Sequence, residues 1–117
     1  MEFANKEIFT YHADLCRTLA NAKRLMILAM LGIREMSVGE MAEAIGVPLA
    51  NISQHLSKLK SQGIVKDKKV AQNVFYSLSD PRMLTACNLI RSVLIDRMKS
   101  RGLVAQEIDA ENVVTDV

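Results

Sequence analysis

Ser37-Val-Gly-Glu-Met-Ala-Glu-Ala-Ile-Gly-Val-Pro-Leu-Ala-Asn-Ile-Ser-Gln-His-Leu56 is the stretch on which the fold turns. It opens with a capping box: the Ser37 hydroxyl accepts from the amide three residues on, and Glu40 reaches back. The spacing predicts a short helix, Val38–Ile45, with Met41, Ala42 and Ile45 inward. Gly46-Val47-Pro48 breaks it, and a second helix follows over Leu49–Ser61, ended by Gly63. Two such helices pack only if a small residue lies where they cross and the turn tolerates positive φ. Apolar residues must also lock the pair. Ala42, Gly46, Val47 and Ile52 meet these demands at the required offsets. The pair is a helix-turn-helix.

Outward from this centre the pattern stays helical on the N-terminal side. Asn5 caps a helix reaching about Ala20, with Ile8, Leu15 and Leu19 on one stripe and Phe9, His12 and Cys16 beside it. Asn21 caps a second helix, Ala22–Leu31, apolar nearly all round and therefore buried. Gly32 stops it. On the C-terminal side, 64–69 and 73–78 read as two strands joined at Ala71-Gln72, with Val74, Tyr76 and Leu78 inward. Asp80-Pro81 then starts a last helix running to about Ser100. Leu84, Cys87, Ile90, Leu94 and Met98 recur along it at three- and four-residue steps, and Gly102 closes it. The order α-α-α-α-β-β-α is that of a mainly helical, α+β winged helix-turn-helix.

Composition agrees. Half of the 117 residues are hydrophobic, with only 4% aromatic and no Trp, so an aliphatic, Met-rich core suits packed helices. No repeat or Pro/Gly linker divides the chain, and we read one domain over 1–102 with an acidic tail over 103–117. The tail carries Glu107, Asp109, Glu111 and Asp116 and no Lys or Arg. Two cysteines cannot make a disulfide scaffold. The start lacks a signal pattern, and the longest apolar run, 25–31, falls far short of the ~20 residues a membrane span needs. The expected location is the cytoplasm.

The outward face of the Leu49–Ser61 helix points to function. With Ile52, Leu56 and Leu59 inward, it exposes Asn51, Ser53, Gln54, His55, Lys58 and Lys60, and no acid occurs between Asn51 and Lys66. Asn and Gln can bond adenine in a bidentate way, Ser can reach bases or phosphate, and lysines neutralise backbone phosphates. The hairpin adds Lys66, Lys68 and Lys69, with Gln72 and Asn73 at its tip, suited to a minor groove or to phosphates. A winged helix that binds protein instead would carry acids or exposed apolar groups on this helix. Nothing suggests an enzyme: there is no Gly-rich phosphate loop and no nucleophile with its base.

The segments Leu19-Ala-Asn-Ala-Lys-Arg-Leu-Met-Ile-Leu, Met36-Ser-Val-Gly-Glu-Met-Ala, Asn51-Ile-Ser-Gln-His-Leu-Ser-Lys-Leu and Val74-Phe-Tyr-Ser-Leu resemble the ArsR/SmtB family of bacterial repressors. Ser53-Gln-His-Leu56 is the most specific part, and the likeness runs from about Leu15 to Leu94. It implies a homodimer joined through the first and last helices, operator DNA read by the Leu49–Ser61 helix, and release of DNA when a small inducer binds.

The family's metal sites are not matched. Where many members hold a thiophilic metal with Cys-Val-Cys, this chain has Ser37-Val38-Gly39. Where others bind zinc-type ions along the last helix, residues 80–102 contain no His and only Asp80 and Asp96 as acids. Sulfur-sensing members pair a cysteine of the second helix with one of the last, but position 29 is alanine. No cofactor or metal is expected. His12 and Cys16 share a helix face, and Cys87 lies on the other helix of the expected dimer. These three either form a sensor site or are packing residues of the dimer seam.

Overall fold

The computed structural model describes residues 5–102. Its elements are α1 (Glu7–Leu19), α2 (Ala22–Leu31), β1 (Met36–Ser37), α3 (Val38–Ile45), α4 (Leu49–Ser61), β2 (Val65–Val70), β3 (Asn73–Leu78) and α5 (Arg82–Ser100). The acidic tail over 103–117 lies outside the described residues.

Local chemistry sets most boundaries. Asn21 Oδ1 accepts from the Lys23 and Arg24 amides at 3.0 and 3.2 Å, starting α2. At α3 the capping box is complete: the Glu40 amide donates to Ser37 Oγ at 3.2 Å and the Ser37 amide donates to Glu40 at 2.9 Å. The same contacts, with Arg34, hold the Glu40 carboxyl below the usual carboxylate range. Gly46 has φ 83°, and its amide and that of Val47 both donate to the Ala42 carbonyl. Gly63, φ 73°, closes α4 in a Schellman motif, with its amide on Lys60 O and that of Ile64 on Leu59 O. Asp80 accepts from the Arg82 amide at 2.9 Å and pairs with its guanidinium, which lowers the carboxyl to about 2.

The seven-element order expected from sequence lacks one piece, β1. Its two residues pair with β3, Met36 opposite Tyr76 and Ser37 opposite Phe75, giving an antiparallel sheet ordered β1-β3-β2. A two-residue strand has no periodicity to read; it exists only because β3 lies beside it. The core gathers Ile27 and Leu28 of α2, Met41 of α3, Ile52, Leu56 and Leu59 of α4, and Val65 of β2. α2 supplies its centre, although Met26 reaches solvent.

Gly32 does more than stop α2. Its φ is −67°, ordinary helical backbone, but a Cβ built there would lie 2.1 Å from Leu84 Cδ2 on α5. The missing side chain is what admits the last helix. Along α5 the apolar stripe divides. Cys87 and Ile95 are buried and Leu84 packs on the core, whereas Ile90 is 72% and Leu94 53% exposed. With Leu89 and Val93 they form an exposed apolar face, and Ile8 is exposed on α1.

Candidate nucleic-acid interface

α4 is held by its inner face and free on its outer one. Ile52, Leu56 and Leu59 have no exposed surface, while Ala42, the small residue of α3, is also buried. The outer face presents Gln54, Ser57 and Lys58 exposed and Ser53 at its margin. Among the described residues the side chains of Ser53, Gln54 and Ser57 make no hydrogen bond within the chain, so their donors and acceptors are available to a ligand. Ser57 was not among the residues picked from sequence. It follows Gln54 by three and Ser53 by four, and that helical step was the signal for it.

The other expected contacts are distributed less simply. Asn51 is half-buried, and its Oδ1 is shielded from solvent without a hydrogen-bond partner among the described residues. His55 sits at the flank of α4 and turns toward α2, where Arg24 Nε donates to its Nδ1 at 3.3 Å. Burial first, then the charges of Arg24 and Lys23, push the imidazole below its ordinary pKa, which favours the neutral ring. Lys60 is engaged by Asp67 at 2.8 Å, which raises its pKa. Lys58 remains unpaired among the described residues.

The wing is β2 and β3 with their two-residue turn, where Ala71 adopts φ 56°. A positive φ at a tight hairpin turn matches the strand twist but disfavours a side chain. Register sorts the lysines: Lys66 lies opposite Ser77 and Lys68 opposite Phe75 on one face, and Lys69 opposite Val74 on the other. All three are exposed, as are Gln72 and Asn73 at the tip. Lys68 is 3.4 Å from Glu35, an exposed pair of little strength that a phosphate can displace. Tyr76 and Leu78 pack on the core and fix the ribbon to the body.

The three residues considered for sensing lie apart from this surface. His12 and Cys16 are exposed on α1, and Cys87 is buried on α5. Burial pushes the Cys87 thiol up, Arg91 pulls it down, and the Cys16 charge raises it again. Among the described residues no group of three or more His, Cys, Asp or Glu could hold a metal ion, and no helix is long and apolar enough to cross a membrane.

Comparison with known proteins matches this architecture. A helix-turn-helix domain family covers residues 19–67. The nodulation protein NolR of Rhizobium meliloti is 37% identical over 84 residues, spanning 72% of this chain and 69% of its own. The transcriptional activator HlyU of Vibrio cholerae is 40% identical over 76 residues, 65% of this chain and 70% of its own. A homodimeric winged helix-turn-helix DNA-binding domain from Mycobacterium bovis, described as of a "possible ArsR-family transcriptional regulator", superposes with TM-score 0.74. It is 25% identical and covers 86% of this chain and 95% of its own. The chain belongs to the ArsR/SmtB family of winged helix-turn-helix transcriptional regulators. In this family member the helix-turn-helix is α3 and α4, and the wing is the β2–β3 hairpin.

Proposed function

We propose that the chain is a cytoplasmic, non-catalytic repressor that binds operator DNA as a homodimer through α4 and the wing. The observation that carries this reading is the outer face of α4. The side chains of Ser53, Gln54, Ser57 and Lys58 are unpaired among the described residues, on a helix whose opposite side is fully buried. No acid on α4 opposes a polyanion. Gln54 reads a base edge, the serines contact bases or phosphate, and Lys58 with Lys66, Lys68 and Lys69 neutralises the backbone. Gln72 and Asn73 at the wing tip reach the adjoining groove or its phosphates. Lys60 joins when Asp67 releases it. Asn51 and His55 stand at the edge of this face and orient it.

The dimer uses α1 and α5, whose exposed Ile8, Leu89, Ile90, Val93 and Leu94 would otherwise remain in water. Two α4 helices would then address half-sites ~34–36 Å apart or a multiple of it. A small inducer releases the DNA, and His12, Cys16 and Cys87, near the dimer helices, are the residues to test for it.

The deciding experiment is a gel shift against the protein's own promoter region over a salt series. Strong binding that falls steeply with salt supports the reading. Failure to bind any duplex at low salt overturns it in favour of a protein-binding winged helix. Release should be measured with metals, oxidants and small metabolites on wild type, Cys16→Ser and Cys87→Ser. Equal release of all three by an oxidant or thiophilic metal removes the cysteines from the mechanism.

A further inference from the structure

Beside α4, on the flank that carries Lys58, lies a cleft of about 720 Å³ between α1, the start of α2 and the end of α4. Arg17, Arg24 and Lys58 line it together with Gln62 and Tyr11, and among the described residues Asp14 is its only acid. The cations differ in how they are held. Arg24 is fixed, with one guanidinium nitrogen on the Thr18 carbonyl at 2.9 Å and Nε on His55. Among the described residues Arg17 is held only by Asp14, at 2.6 Å, in a pair whose members are 72% and 52% exposed. Lys58 has no partner among the described residues. Three cations around one acid leave a positive opening, with amide and phenol donors at its rim.

We propose that this cleft is a phosphate-binding site that takes one backbone phosphate of the bound duplex, making α1 part of the DNA interface. This rests on α4 being the reading helix. A helix lying in the major groove has a phosphate wall on each side, and the wall on the Lys58 side faces this cleft. Lys58 is the near contact. Arg17 swings from Asp14 to the phosphate, because its exposed single-nitrogen contact with the Asp14 carboxylate is weak and a guanidinium holds a phosphate with two parallel bonds. Arg24, braced by Thr18 and His55, supplies fixed positive charge at the back. Gln62 donates from the rim. The site recognises phosphate, not sequence, so it adds affinity for every duplex.

The test uses the full chain with its promoter fragment and an unrelated duplex of equal length. Arg17→Gln should weaken both equally and lower the slope of log affinity against log salt by about one. Asp14→Asn should do the reverse, tightening both by roughly two- to fivefold at low salt, the size of a surface charge interaction. A merely structural Arg17–Asp14 pair would make both variants weaker or neither, and that result overturns the proposal. Both side chains are exposed, so the variants fold; circular dichroism checks this. A parallel NMR titration with inorganic phosphate follows the Arg24 Nε–H and the Gln62 amide. Saturable phosphate binding with unchanged DNA slopes in Arg17→Gln overturns the proposal in favour of a free small anion. If wild type binds no duplex, the reading of α4 fails first; if it binds and the variants do not differ from it, only the cleft assignment fails.

Discussion

Arg24 on α2 donates from Nε to Nδ1 of His55 on α4 across 3.3 Å, joining residues 31 apart in the chain. The contact requires a neutral imidazole, since protonation turns Nδ1 from acceptor to donor and sets two positive charges side by side. The pKa of His55 is lowered by burial and by Arg24 and Lys23. The unfolded chain therefore binds the proton more readily than the folded one. Stability is complete above the ordinary histidine range, near 6.5, and falls as pH drops through the depressed folded value. Melting temperature against pH should show this loss in wild type and a flatter curve in His55→Gln. In Arg24→Gln the His55 titration, followed by NMR, should move upward.

Gln54 stands at the centre of the outer face of α4, and its side chain makes no hydrogen bond among the described residues. Gln54→Ala should cost roughly 1–3 kcal/mol on the operator and relax base preference at one position. Competition binding against single-base operator variants checks this. Unchanged affinity and preference would remove Gln54 from base readout.

Gly32 and Leu84 form a second long-range pair, between the end of α2 and α5. Gly32→Ala inserts a methyl group where the leucine end lies, and should destabilise the protein by about 1–3 kcal/mol. Leu84→Ala opens that space, so the double variant should lose less than the sum of the two single losses. Urea unfolding at one fixed protein concentration measures the coupling.

Among the described residues Ile90 is the most exposed large apolar side chain. Ile90→Asp should leave the winged helix folded and shift sedimentation toward monomer. Operator binding should fall with it, because two half-sites are then no longer linked. A dimer of unchanged strength would place the interface elsewhere.

The helix-turn-helix was legible in the sequence for a physical reason. Ser37, Glu40, Gly46 and Gly63 act on amides and carbonyls within a few residues of themselves, so a reading of neighbours places Val38–Ile45 and Leu49–Ser61 where the structure has them. The candidate site was partly legible. Helical spacing gave Ser53, Gln54 and Lys58, and would have given Ser57. It placed His55 and Lys60 beside them without showing that Arg24 and Asp67 hold these two. Three or four residues of spacing report which side of a helix a residue is on, and nothing about what lies across from it.

From its residues alone this chain has the ends of α3 and α4, the positive-φ glycines that close them, the buried face of α4 and the charge of its outer face. Each depends on hydrogen bonds and apolar steps that close within a turn or two of backbone. Contacts between distant segments decided the rest. β1 forms because β3 is there to pair with it, Gly32 matters because Leu84 crosses it, and Arg17, Arg24 and Lys58 share a cleft because three helices meet. Such relations depend on how elements pack, and packing brings together residues that no local pattern connects.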